Sequence, residues 1–332
     1  MTIRWRTHVV DSAAIEPYRA PIAATDAAGT DPAVSTRGGP SMNTLITRSV
    51  ALFVAVLGVL SAPRDLRAQS PERIFRDARE YTVRIRTQIT HPFIEDRRGS
   101  FSGAGFVLDA ARGWIATNAH VVGQSPSEVQ VAFADGEFRD ARKVYVDSFT
   151  DFAILEITPG DRPLVAARLD CRRPPVVGEA VAAFGHPLGM PFTGTRGIVS
   201  GHTDQFLNDF IQMDATIDHG NSGGPVITLA DGRIVGIATA GASGEEAKRL
   251  NLATPIRDLC RVVELLRQGI SPAPPIMEFA LLVDDDHRHT MEVASTENPN
   301  RWPFVPGDRI IAAGPERTSV KTYSELVGSL RG

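Results

Sequence analysis

Two cysteines in 332 residues cannot make a disulfide framework, and with 42% hydrophobic residues the chain has core enough not to need one. In an oxidising compartment Cys171 and Cys260 could pair; two free, half-buried thiols are the plainer expectation. Excess charge of either sign is also missing. A net charge of -4 gives no basic surface for nucleic acid or anionic membrane, so partners have to be argued from local features. Nor is there a long apolar run: the most hydrophobic stretch, Val50 to Leu60, falls short of the ~20 residues that span a bilayer.

That stretch reads as part of an export signal. "MNTLITRSVALFVAVLGVLSAPRDLRAQS" has a positive start ending at Arg48, the apolar run, and small residues before a cleavage point after Ala68. Residues 42–68 are therefore expected to be a signal peptide and the protein to be exported, or membrane-anchored if the signal is retained. Residues 1–41 show no apolar periodicity and read as a disordered or upstream extension, with Met42 as the start.

Helical periodicity is scarce from Tyr81 to Pro255. "YTVRIRTQI" and "SEVQVAFADG" alternate apolar and polar residues, and "GAGFVLD", "DFAILEI", "EAVAAFG", "TRGIVSG", "FIQMDATI" and "GPVITLADGRIVGIATAG" follow at close intervals. Many short strands with turn residues between them predict an antiparallel barrel or sandwich. One helix follows, with Pro255 in its first turn, Leu259, Val262, Val263 and Leu266 on one face, and Gly269 just past its end. "SPAPP", 271–275, is a stiff linker and marks a domain boundary.

"HGNSGGPV", 219–226, sets Ser222 among glycines, which a plain tight turn would also do. A serine becomes a nucleophile only with a base to take its proton and an acid to orient the base. His120, near the end of "GWIATNAHVV", and Asp151, just before "FAILEI", stand at strand boundaries, and the order His, Asp, Ser is that of chymotrypsin-type barrels. Asp147 is the rival acid. "ATNAHVV", "DFAILEI", "HGNSGGPV", "GRIVGIATAG" and "LNLATPIRDL" together resemble the trypsin-like serine proteases of the HtrA/DegP family, over about residues 72–268.

The resemblance implies a mainly β fold: a chymotrypsin-like double β-barrel protease domain over 72–270, followed by a small α+β PDZ-like domain over 276–332. It makes His120 the general base, Asp151 its orienting acid and Ser222 the nucleophile. The N–H groups of Gly220 and Ser222 become the oxyanion hole, with Asn221 shaping the turn. Gly223 and Gly224 are expected to leave space for substrate and core. Thr216, six residues before the nucleophile, is placed at the base of the specificity pocket, with walls at Ile198 and Ala238. A neutral threonine there predicts cleavage after small or medium aliphatic residues.

The implied substrates are unfolded or damaged proteins or peptides in the periplasm or envelope. No cofactor is needed, because triad and oxyanion hole suffice. The family also implies a homotrimer built near Phe75 and Tyr81. "VPGDRIIAAGPERTSVKTYSELVGSLRG" resembles the later part of a PDZ domain, with a helix from about Thr322 to Leu330 and "IMEFALLV" (276–283) as the strand receiving a C-terminal peptide. About 60 residues follow the linker, so this domain is read as shortened or truncated.

Three other readings compete. Gly220, Ser222 and Gly224 also satisfy the G-x-S-x-G pattern of α/β-hydrolase esterases, with His287 or His289 downstream. That fold needs a helix after the serine, whereas Pro225 to Thr228 have strand character. "VDDDHRH", 283–289, is read as a solvated loop rather than a metal cluster, and His120 has no neighbouring second histidine, so no metal site is assigned. His91, His186, His202 and His219 read as structural or exposed. The remaining alternative is a resting or inactive peptide-binding or chaperone protein on the same scaffold.

Overall fold

Helix and strand alternate only once at the start of the fold, and the reason is local. A computed structural model describes residues 7–10, 70–93, 96–134, 136–160, 163–190, 192–204, 208–240, 251–273, 276–285 and 288–331. The expected signal peptide, residues 241–250, the end of the expected linker and His287 lie outside the described residues. Strand β1 (Thr7–Val10) falls in the segment expected to lie outside the fold. Helix α1 (Pro71–Tyr81) begins where Ser70 accepts from the Arg73 amide at 3.4 Å, with proline and Glu72 in its first turn. Its buried stripe, Ile74, Ala78 and Tyr81, packs into the protein's own core, and Phe75 stands edge-on to Phe184 at 4.7 Å.

The first barrel comprises β2 (Thr82–Ile89), β3 (Gly99–Asp109), β4 (Trp114–Thr117), the one-turn helix α2 (Ala119–Val122), β5 (Glu128–Ala132), β6 (Arg139–Asp147) and β7 (Phe152–Glu156). It closes in the order β2-β3-β4-β7-β6-β5. The second comprises β8 (Ala180–Gly185), β9 (Thr193–Thr203), β10 (Phe210–Met213), β11 (Pro225–Thr228), β12 (Ile234–Ala240) and β13 (Asn251–Pro255), closed as β8-β9-β10-β13-β12-β11. Closure removes the free edges that a single sheet would leave. The expected mainly β double barrel is present, and the two cores meet: Phe184, Ile227 and Ile237 of the second pack in one cluster with Phe106, Ile154 and Leu155 of the first.

Helix α3 (Ile256–Arg267) presents Leu259, Val262 and Val263 to that core. Pro255 precedes the first turn, as the last residue of β13 and the N-cap, instead of sitting within the turn. Gly269, at φ +75, donates to Leu266 O at 3.1 Å and Ile270 to Leu265 O at 2.9 Å, the paired bonds of a Schellman stop. Cys260 of α3 is disulfide-bonded to Cys171, with Cα atoms 6.0 Å apart, so the expectation of two free thiols is corrected. The fold delivers both to the same place although 89 residues separate them.

After the linker, β14 (Phe279–Val283), β15 (His289–Thr296), β16 (Arg309–Ala313) and β17 (Thr318–Ser319) form a sheet with helix α4 (Tyr323–Ser329) beside it. Thr322 caps α4 by accepting from the Glu325 amide, and Glu325 reaches back to accept from the Lys321 amide, one residue before the cap. Strand β1 pairs in parallel with β16, so four residues of the supposed extension join this sheet. The module docks on the first barrel through Arg331, which is 2% exposed. Its guanidinium donates to Asp147 Oδ2 and Pro272 O, each at 2.6 Å, and to the Tyr145 hydroxyl at 3.0 Å.

Candidate active site

Asp151 follows a turn built by another aspartate. Asp147 Oδ1 accepts from the Phe149 and Thr150 amides at 2.9 and 3.4 Å, and its Oδ2 accepts from the Thr150 hydroxyl at 2.8 Å. The turn delivers Asp151 in a left-handed backbone conformation, φ +50, uncommon for a residue with a side chain. Asn118 Nδ2 donates to Asp151 O at 2.9 Å and ties that conformation to the start of α2. Asp147, the rival acid, is therefore the support of Asp151: it is 5% exposed and faces Arg331.

His120 rides on α2, and Asp151 serves this helix twice. Its Oδ1 accepts from the His120 backbone amide at 3.0 Å, and its Oδ2 accepts from the His120 ring Nδ1 at 2.8 Å. A carboxylate can only accept, so Nδ1 carries the proton and the neutral ring offers Nε2 as a base. Thr239 of β12 donates its hydroxyl to Asp151 Oδ2 at 3.1 Å, reaching across from the second barrel. Desolvation pulls the imidazole's pKa down, but the hydrogen bond to Asp151 and its negative charge outweigh it, and His120 titrates above its ordinary value.

Ser222 is 5% exposed and enters from the second barrel on a turn fixed through its backbone. Its carbonyl accepts from the Ala104 amide of β3 at 2.8 Å. Asn221 N–H is committed to Asp218 O at 2.9 Å, and Asn221 O accepts from Gly224 N–H at 2.9 Å, so Asn221 closes the turn. Gly220, at φ +104, has its carbonyl held by the His186 amide at 3.1 Å. Gly223, at φ +86, fits where a Cβ would lie 2.2 Å from Ala104 O, and one at Gly224 would lie 1.9 Å from Phe184 O. These two glycines make room for the protein's own backbone at the barrel interface, the close approach of the core that was expected of them. A strand, β11, follows the serine, as its residues predict, and the esterase elbow is excluded.

Of the expected pocket residues, Thr216 is exposed and its carbonyl accepts from the Thr195 hydroxyl at 2.8 Å; Ile198 on β9 is 43% exposed. Ala238 is fully buried in the core of the second barrel, so it offers a substrate no surface. Strand alternation is the reason: Ala238 points inward and Thr239 toward Asp151. The Ala238 backbone instead accepts from Gly223 N–H at 2.8 Å and donates to Gly224 O at 2.9 Å, bracing the Ser222 turn. Thr239 and Asn118 escaped the sequence reading; only their positions, one after Ala238 and two before His120, marked them. Among the described residues no group of three or more His, Cys, Asp or Glu side chains could hold a metal ion.

Two closed barrels, with His120 bonded to Asp151 on one and Ser222 on a turn of the other, are the framework of a trypsin-like peptidase domain, and residues 103–237 match the family model described as "Trypsin-like peptidase domain". Serine endoprotease DegS of Escherichia coli K12 is 35% identical over 178 residues, covering 50% of this chain and 49% of DegS. Periplasmic serine endoprotease DegP of Salmonella typhimurium LT2 is 39% identical over 143 residues, covering 42% of this chain and 30% of DegP. Serine protease Do-like HtrA of Bacillus subtilis 168 is 36% identical over 191 residues, covering 54% and 42%. Over its barrel region the chain is thus similar to serine proteases of the HtrA family. It spans about half, or less, of the length of these relatives.

Proposed function

We propose that the chain is a serine endopeptidase acting on unfolded or damaged proteins in envelope quality control. The observation that carries this reading is the His120 ring held by Asp151, with the Ser222 turn bound to the same barrel through Ala104. Ser222 Oγ attacks the scissile carbonyl while His120 Nε2 takes its proton. The N–H groups of Gly220 and Ser222 receive the developing oxyanion. The imidazolium, stabilised by Asp151, returns the proton to the leaving amine, and water then releases the acyl group by the same steps reversed.

Thr216 and Ile198 are placed at the specificity pocket, and cleavage after small or medium aliphatic residues is the expected preference. The edge of β14 is the place for a C-terminal peptide in the PDZ-like module. Export rests on the 42–68 segment and on the resemblance, which also supplies the trimer. No helix among the described residues is long and apolar enough to cross a membrane.

Casein digestion and fluorophosphonate labelling of the chain and of Ser222→Ala test the reading. The parent should be labelled at residue 222 and digest casein; the variant should lose the label and on the order of 10⁶ in kcat. An unlabelled parent that digests nothing would overturn it.

A further inference from the structure

Helix α2 is a single turn, too short to be stable by itself, yet it sets the direction of the His120 ring. Its amino end is held by the Asp151 carboxylate. Its carboxyl end runs into a second charged group that the reaction does not use. Lys143 Nζ donates to Val122 O at 3.5 Å, Gly123 O at 3.0 Å and Ser125 O at 2.5 Å, the carbonyls of the helix's last residue and of two residues just after it. A β-bulge between Lys143 and Tyr145 breaks the β6–β7 register at this residue, and a bulge is the device that re-aims a side chain. Arg142, one position earlier, pairs outward with Glu156 at 2.6 Å.

The segment after the helix is gripped from its other side by Asp96. That carboxylate accepts from the Ser125 amide at 2.5 Å and from the Ser125 hydroxyl, while the Phe93 amide donates to the same hydroxyl at 2.7 Å. Ser125 is fully buried. An ammonium thus takes the carbonyls of Val122, Gly123 and Ser125, and a carboxylate takes the amide and hydroxyl of Ser125. Burial draws the Lys143 ammonium below its ordinary pKa, and Asp96 opposes that.

We propose that Lys143 is a positioning residue for His120: its ammonium closes the carbonyl end of the turn whose amino end Asp151 closes, and so fixes the imidazole for proton transfer. The charges complement the helix dipole at both ends, carboxylate at the amino terminus and ammonium at the carboxyl terminus. The proposal rests on the endopeptidase reading for its consequence, though not for its geometry.

Lys143→Gly and Lys143→Met in the full chain test it, with casein as substrate. Removing the ammonium is expected to lower kcat about tenfold with KM within about twofold, since a misaimed base hurts chemistry rather than binding. The acid limb of the rate profile should move to lower pH in both variants, because a slackened His120–Asp151 bond lowers the imidazole's pKa; loss of a nearby cation alone would move it the other way. Ammonium chloride should restore activity to Lys143→Gly by refilling the three-carbonyl cage, but not to Lys143→Met, whose side chain occupies it. Tetramethylammonium at equal ionic strength should do nothing. Unchanged kcat in Lys143→Met, an acid limb moved upward, or equal restoration by both salts would overturn the proposal.

Amide hydrogen exchange over 119–125 gives a reading independent of turnover. Faster exchange in Lys143→Met, slowed by no salt, is expected, and wild-type protection in that variant overturns the proposal. An unlabelled Ser222 in the parent would sink the protease reading, while exchange would still decide the role of Lys143.

Discussion

The two halves of the active site are fixed by opposite means. The first barrel holds His120 and Asp151 with side chains: Asn118, Asp147 and, through it, Arg331 from the far end of the chain. Ser222, on the second barrel, is held almost wholly by backbone, through the carbonyls of Ser222, Asn221 and Gly220 and glycines at positions where a Cβ has no room. A side-chain scaffold can be altered one hydrogen bond at a time. A backbone scaffold cannot, because every residue type but proline carries the same N–H and C=O, so an ordinary side-chain substitution leaves those bonds in place.

The comparison is broken most severely at Gly223. Gly223→Ala must take φ +86 and place a methyl 2.2 Å from Ala104 O, and the obstacle is backbone, which has nowhere to retreat. A loss of more than about 4 kcal/mol is expected, enough to reduce yield of folded protein, and urea unfolding measures it. Stability within about 1 kcal/mol of the parent would mean that the barrels separate easily and that the backbone scaffold is softer than its contacts imply.

The next effect tests the side-chain half. Arg331 and Asp147 are 1% and 3% exposed at their side chains, so Arg331→Met leaves a carboxylate buried without its partner. The cost should be about 3 kcal/mol, again by urea unfolding, and Asp147→Asn together with Arg331→Met should recover part of it. Because Asp147 organises the turn before Asp151, Arg331→Met is also expected to lower kcat more than it raises KM. A purely global loss of stability with kcat intact would confine Arg331 to docking the C-terminal module.

The same contrast explains what could be read from the sequence. "HGNSGGPV" was legible because backbone geometry leaves its mark in consecutive residues: positive φ demands glycine at 220 and 223, and Pro225 opens a strand. The barrels were legible as short alternating strands. Side-chain supports leave no such mark. Asp147 and Arg331 are 184 residues apart and each looks like a solvated surface charge, while Thr239 reads as one more β-branched strand residue. The disulfide was obscure for the same reason, since only the closed fold sets Cys171 beside Cys260. Ala238 was misplaced by one step of strand alternation, which the sequence does not phase.

The smallest expected effect concerns the pH at which the site turns on. In the proposed mechanism His120 must be neutral to accept the Ser222 proton, and Asp151 raises its pKa by favouring the imidazolium. The acid limb of kcat/KM should therefore lie above the ordinary imidazole value of about 6.5. Asp151→Asn removes both the charge and the strong acceptor. The imidazole then holds its proton less tightly, so the acid limb moves to lower pH even as the plateau collapses, since the ring loses its fixed tautomer. Thr239→Val separates the two halves further: it removes the hydrogen bond that Thr239 of the second barrel gives Asp151, and leaves the His120–Asp151 contact in place. A fall in kcat of about tenfold, measured with casein, would show that the second barrel steers the acid as well as supplying the nucleophile. Unchanged kcat would leave Asp151 in the keeping of the first barrel alone.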